Sequence, residues 1–276
     1  MRRLAGRVAL AGLVFASPGV PRRYEAQGRP LARVHYLGGN GWAVRIGRRL
    51  LVFDYREVAG VTAPSAGEAL GLARGSIGPE DLASLDVFVF VTHSHADHFD
   101  SIIFGWESRA RSSHYIFGWR AGADPRHHYL VGPRARVGVD GVEVWTINSS
   151  QDGVPEVAFL VQVDGWTIYH NGDYLGAFRD DFAYLRRISG HVDLPFLVSG
   201  WAREDHPRYQ LVRQFVEVFH PARVFLIDRL GQEDRTEVFA RFLASRGAET
   251  HYLHGDLPGD LFSVAGDSIA EFRRRR

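Results

Sequence analysis

The sequence predicts one α/β domain made of two β-rich halves with helices packed outside them. Three observations carry this reading. Short runs of β-branched and aromatic residues bounded by glycine turns fill two stretches, 34–91 and 129–170. Helical stripes alternate with short apolar runs only afterwards, from 178 to 243. No linker, repeat or low-complexity tract interrupts the 276 residues, which favours one domain over two.

Ahead of the first strand, Arg2 and Arg3 precede an apolar stretch from Val8 to Ala16, with Pro18 and Pro21 beyond it. Residues 1–30 read either as a signal peptide ending near Ala16 or as an N-terminal arm, because Arg7 interrupts the apolar region. Export and a cytoplasmic location both remain open, and 31–276 form the domain proper. The stretch is too short to span a bilayer and no other segment approaches that length, so no stable membrane insertion is expected.

Val34-His35-Tyr36-Leu37 and Trp42-Ala43-Val44-Arg45-Ile46 flank a Gly-Gly-Asn-Gly turn, and Leu50-Leu51-Val52-Phe53 follows, giving an antiparallel meander. Ala66 to Arg74 reads as a short helix. Val87 to Val91 has no polar residue, the mark of a strand buried on both faces. After a helical stretch around Ile102 to Trp106, a second β block comprises Tyr129-Leu130-Val131, Val142 to Ile147 and Val157 to Val163, the last turning through Asp164-Gly165 into Trp166 to His170. Phe178, Phe182, Leu185 and Ile188 stripe a helix, Leu194 to Val198 is a strand, and Leu211, Val212, Phe215, Val216 and Phe219 stripe a helix that Asp205 and Pro207 start. Val224 to Ile227 is a further strand, and Asp234 with Glu237 reads as a capping box before Val238, Phe239, Phe242 and Leu243.

Composition narrows the chemistry. The 33 basic residues are all arginine, and they stand against 32 acidic ones, so no net field attracts nucleic acid and Schiff-base or P-loop lysine chemistry is absent. With no cysteine, disulfides, iron–sulfur clusters, thiolate nucleophiles and thiolate-bound zinc are excluded. A metal here must be held by His, Asp, Glu or Gln.

His93-Ser94-His95-Ala96-Asp97-His98 follows the buried strand directly. Three imidazoles and a carboxylate crowd together at low cost when a cation orders them. Four ligands at this spacing do not converge on one tetrahedral ion. They divide instead, His93 and His95 toward one metal, Asp97 and His98 toward a second.

At these residues the chain resembles the metallo-β-lactamase superfamily, whose signature is this His-x-His-x-Asp-His loop. The resemblance runs from about Val34 to about Gly231, through the opening meander ending in Asp54 and the strand-end Tyr169-His170-Asn171-Gly172-Asp173. Within the superfamily the chain is most similar to predicted hydrolases near ascorbate-6-phosphate lactonase and the N-acyl-phosphatidylethanolamine phospholipase. The resemblance implies a four-layer αββα sandwich with two divalent ions at the sheet edges, Asp173 bridging them. It implies hydrolysis of an ester, lactone or phosphodiester in a small-molecule substrate by a hydroxide held between the ions, with Asp97 or Asp173 orienting it. Two histidines of the family pattern are absent. Where the first is expected stands Ser149-Ser150-Gln151-Asp152-Gly153, with Asp152 the better substitute ligand and Gln151 the runner-up. Where the second is expected, after Val224 to Ile227, stands Asp228. Four aspartates, Asp97, Asp152, Asp173 and Asp228, would balance two divalent ions, and an oxygen-rich shell moves the preference from zinc toward manganese or iron(II). The competing reading is a degraded site, leaving a single-metal or non-catalytic binding protein on the same fold. Asp54 reads as a structural tie. His170 reads either as a residue orienting a ligand from behind or as a surface histidine, and Trp106, Tyr115, Phe117 and Trp119 as the lining of an apolar mouth or as core.

Overall fold

Strands dominate because alternating and continuous apolar runs need two covered faces, and this chain supplies the cover by stacking two sheets. The computed structural model describes residues 28–57, 71–124, 126–228, 231–247 and 249–273. The segment read as a leader or arm, up to residue 27, and residues 66–70 of the expected short helix lie outside the described residues.

In the first half of the chain, β1 (Ala32–Gly38), β2 (Gly41–Ile46) and β3 (Arg49–Phe53) form the expected meander, and α1 (Pro79–Leu82) leads into β4 (Asp86–Val91). Every residue of β4 is buried, as its uninterrupted apolar run requires. β5 (Ser112–Phe117) and β6 (His127–Tyr129) continue parallel to β4, while β7 (Arg136–Val139), β8 (Val142–Gln151), β9 (Val154–Val163) and β10 (Trp166–His170) form a second antiparallel meander. Then come α2 (Phe178–Ile188), β11 (Leu194–Val198), α3 (Pro207–Phe219), β12 (Arg223–Ile227), α4 (Glu233–Ala244), β13 (His251–Leu253) and the hairpin of β14 (Leu261–Ala265) and β15 (Ser268–Phe272). One sheet has the order β15-β14-β1-β2-β3-β4-β5-β6, the other β13-β12-β11-β10-β9-β8-β7.

Each sheet is half meander and half parallel. Between them lies the central core, in which Trp42 packs against Tyr36, Phe196, Phe225 and Phe262 at ring separations of 5.0 to 6.1 Å. A second core joins the outer face of β8–β12 to α2, α3 and α4. A third covers the outer face of β2–β5, chiefly with irregular segments and short helical turns. The layers are thus the expected αββα, with one helical layer thin among the described residues.

Several elements differ from their expectation. Ser101–Trp106 is a 3-10 turn, and α4 begins at Glu233 with Gln232 as its cap, so Asp234 lies inside the first turn. Ser112–Phe117, which carries two of the four rings read as mouth lining or core, is a strand. Trp106, Tyr115 and Phe117 are buried in the third core with Trp119 packed against them, and the Tyr115 hydroxyl donates to Ile103 O. These rings are core. No helix among the described residues is long and apolar enough to cross a membrane.

The parallel strands deliver their carboxyl ends to one edge of the sandwich, where β4 runs into Thr92, β10 into Asn171, β11 into Ser199 and β12 into Asp228. A backbone bond from Val157 N to Thr92 O, 3.2 Å, ties the two sheets there. Trp42→Ala, which empties the centre of the sandwich, should lower the unfolding free energy by about 3–5 kcal/mol in urea titrations.

Candidate metal centre

Asp54 ends β3 with φ of 45° and is fully enclosed beneath the histidine loop. Its Oδ1 accepts from Thr92 N at 2.8 Å, and its Oδ2 accepts from the Thr92 hydroxyl and faces His98 Nδ1, each at 2.8 Å. Burial alone would raise the Asp54 carboxyl, but the charge and hydrogen bond of His98 outweigh it and hold Asp54 below its ordinary value. The same pair raises His98 against the burial that would lower it. The sequence reading of Asp54 as a tie describes its geometry, and the carboxylate also fixes an imidazole. With Nδ1 turned to Asp54, His98 presents Nε2 outward, the arrangement in which a carboxylate orients a metal-binding histidine.

His93 is fixed similarly. The Thr92 hydroxyl donates to Asp54, so its lone pair faces His93 Nδ1 at 3.0 Å, and Glu156 Oε1 lies 3.4 Å from the same nitrogen. The Nδ1 proton is thereby assigned, and His93 Nε2 is buried with no hydrogen-bond partner among the described residues. Burial, then the charge of His98, lowers His93 to about 4, keeping it neutral and able to ligate. Asp173, three residues beyond the end of β10, places a carboxylate oxygen 3.8 Å from His98 Nε2. The candidate ligand atoms of His93, His98 and Asp173 all lie within 4.8 Å of one another, and all three residues are buried. A neutral imidazole nitrogen without a partner beside a second imidazole and a carboxylate fits a divalent cation.

The other expected ligands stand at different places. His95 packs edge-on against His93 at 4.7 Å between ring centres, outside the three-ligand cluster. Asp97 keeps a third of its side chain exposed, its Oδ2 3.9 Å from His98 Nε2. Asn40 Nδ2 donates to the Asp97 backbone oxygen at 3.1 Å and to Oδ2 at 3.3 Å, and lies 2.9 Å from His98 Nε2. Asp152 does not join the cluster. With Gly153 it forms the tip of the β8–β9 hairpin, at φ of 51° and 81°, exposed to solvent four residues beyond the buried Glu156. The same Asp-Gly pair makes the β7–β8 and β9–β10 turns, so Asp152 answers a turn requirement. Gln151 is the last residue of β8, paired with Val154.

Asp228 is buried, but its Oδ1 accepts from the Tyr36 hydroxyl at 3.0 Å, and it too lies outside the cluster. Burial pushes its carboxyl from 3.8 to about 7. His170 sits behind the loop, stacked on Phe53 at 4.9 Å, its Nδ1 3.8 Å from Asp54 Oδ2 and burial lowering it to about 4. It supports the site from inside the sandwich and is not a surface residue.

Two residues that the sequence reading passed over complete the site. Glu156, directly across from Ser149 on the β8–β9 ladder, accepts from the Ser149 hydroxyl at 3.0 Å and from Asp173 N at 2.7 Å. Burial, then the Asp173 charge, raises it to about 8. Arg208, in the first turn of α3, donates from Nη2 to Asp173 Oδ1 at 3.1 Å. His206 caps that helix, its Nδ1 accepting from Arg208 N.

No family model matches the chain. The chain is 25% identical over 205 residues to a UPF0173 metal-dependent hydrolase of Thermococcus kodakarensis, covering 70% of this chain and 83% of the relative. Among solved structures it is similar to Igni18, a metallo hydrolase of Ignicoccus hospitalis, with a TM-score of 0.56 at 13% identity over 89% of this chain and 100% of that one. It is similar also to CmlA, a diiron β-hydroxylase of Streptomyces venezuelae, with a TM-score of 0.56 at 12% identity over 85% of this chain; the chain spans about half of that protein, 54% of its length.

Two outcomes are expected. Asp54→Asn should weaken metal binding about 10- to 100-fold, as measured by competition with a chromogenic chelator. The folded state holds a proton on Asp228 up to about pH 7, whereas the unfolded chain releases it near 3.8. Stability should therefore fall as pH rises through that window, and Asp228→Asn should flatten the fall between pH 5 and pH 8 in denaturant titrations.

Proposed function

We propose that this chain is a metal-dependent hydrolase of the metallo-β-lactamase superfamily and that it cleaves an ester, lactone or phosphodiester bond in a small-molecule substrate, a reading supported by its likeness to a metal-dependent hydrolase and to a metallo hydrolase of the same fold. The observation that carries the reading is the convergence of His93, His98 and Asp173 around a buried imidazole nitrogen that has no hydrogen-bond partner among the described residues. Zinc, manganese or iron(II) suits this mixed imidazole and carboxylate set. A bound divalent ion supplies Lewis acidity, activating water and polarising the scissile oxygen.

The chain's own residues do the rest. His93 and His98 are held in one tautomer by Thr92 and Asp54, so their rings need no reorientation when the site is loaded, and at His98 the ion would take the place of the Asn40 amide at Nε2. Asp97 is the exposed carboxylate at the mouth and is steadied by Asn40, which suits it to orient water and accept its proton. Asp173 is anchored through its backbone by Glu156 and through its carboxylate by Arg208, and it serves as a ligand. Leu175 and Trp201, both exposed, follow Asp173 and Ser199 in the strand-end loops and offer apolar contact to a substrate. The bond classes rest on the resemblance to the lactonase and phospholipase group. The hydroxylase likeness shows that related folds serve other chemistry, so bond cleavage is the point to test.

One observation favours a second reading, a metal-binding protein without catalysis: of the seven expected ligands, three converge in the cluster. Chromogenic esters, lactones and phosphodiesters, assayed with added zinc, manganese or iron(II), separate the two. Hydrolysis of at least one class is expected, abolished by EDTA and by His98→Ala. Asp97→Asn should retain metal while lowering kcat by about 100-fold or more. Metal uptake with no turnover across the panel would leave the binding reading.

A further inference from the structure

Asp173 is approached from two sides. One side faces His98 Nε2 and belongs to the three-ligand cluster. On the other, Oδ1 accepts from Arg208 Nη2 at 3.1 Å, and Arg208 Nη1 donates to Ser199 O, also at 3.1 Å. The guanidinium is clamped, with its side chain 17% exposed. Pro207 and Arg208 open α3, and the turn before it packs so closely that a Cβ at Gly200 would come within 2.9 Å of the Arg208 Cβ. Of the other carboxylates expected to complete the two shells, Asp152 stands at an exposed hairpin tip, Asp228 accepts from the Tyr36 hydroxyl and Asp97 accepts from Asn40.

We propose that the centre holds one divalent cation, on His93, His98 and Asp173, and that the Arg208 guanidinium occupies the place of a second cation against Asp173. The proposal rests on the metal-dependent reading above and goes beyond it in fixing the number of ions and the identity of the second positive group. A cation recruited to Asp173 Oδ1 would have to displace a charge-assisted hydrogen bond and stand beside a like charge in a buried setting, where screening is weak. Arginine does not relieve that repulsion by losing its proton, and its fork is held at both ends by Asp173 and Ser199. A positive charge on that side of Asp173 is then permanent, whatever the metal supply.

The test uses the full chain, stripped with chelator and reloaded with manganese, then measured by calorimetric titration, by metal analysis after desalting and by electron paramagnetic resonance. Wild type should bind one equivalent and give an uncoupled Mn(II) spectrum. Arg208→Lys, which keeps the charge, should also stop at one. Arg208→Gln should take up a second equivalent and show a spin-coupled pair. Two equivalents in wild type or in R208K overturn the proposal. One equivalent in a folded R208Q overturns the role given to Arg208. No binding in wild type overturns the metal-dependent reading itself, and the inference with it. Should R208Q not fold, the stoichiometries of wild type and R208K still decide.

Discussion

The buried Asp54 carboxylate is the interaction on which the rest of the site depends. It collects three donors from the strand end above it: the Thr92 amide, the Thr92 hydroxyl and His98 Nδ1. A carboxylate is costly to bury alone and tolerable when its oxygens are fully engaged by such partners. The consequence is geometric. The His93–His98 loop leaves β4 in a fixed direction, and its first and last imidazoles come to 4.1 Å between ring centres. Without that carboxylate, buried imidazoles with perturbed protonation would crowd one another with nothing to choose their tautomers.

A second constraint is the close approach of β10 to the same loop. Gly172 has φ of 54°, and a Cβ there would lie 2.7 Å from the Thr92 hydroxyl oxygen. Only glycine lets the strand-end turn pass under Thr92 and bring Asp173 to His98. The Gly-Asp pair is therefore a packing solution as much as a ligand motif. Glycine permits the contact between the sheets, and aspartate uses the position so created.

What was legible in the sequence follows from how local each signal is. The meander, the apolar Val87–Val91 run of β4 and the two amphipathic helices were readable because each depends on residues a few positions apart. The histidine loop was readable for the same reason, and Asp173 through the family resemblance of its strand-end Gly-Asp pair. Glu156 and Arg208 were not, since their roles exist only across a ladder or across the sandwich. Glu156 meets Ser149 because β8 continues four residues past the end expected for it, and Arg208 meets Asp173 from 35 positions away. Asp152 shows the opposite error. Its Asp-Gly signature is the one read correctly as a hairpin at 164–165, but an expected ligand position outweighed it, although φ above zero at two successive residues is what that dipeptide serves.

Asp228 shows how a strand-end residue can serve the site without entering it. The Tyr36 hydroxyl donates to Asp228 and accepts from Gly39 N at 2.9 Å. The next residue, Asn40, reaches the Asp97 backbone, the Asp97 carboxylate and His98 Nε2. A carboxylate just past the end of β12 is thus joined through Tyr36 of β1 and the Gly39-Asn40 turn to the ligands of the opposite sheet edge. Burial holds the Asp228 proton to about pH 7, so near neutrality the end of this chain sits close to the balance between its two charge states. In a sandwich whose sheets meet mainly through apolar side chains, this hydrogen-bonded turn and the Val157–Thr92 bond join the contacts of His93 with Glu156 and His98 with Asp173 as polar connections at the open edge. The polar contacts that hold the site therefore come from both sheets, and Asp228 is linked to His98 by way of Tyr36, Gly39 and Asn40.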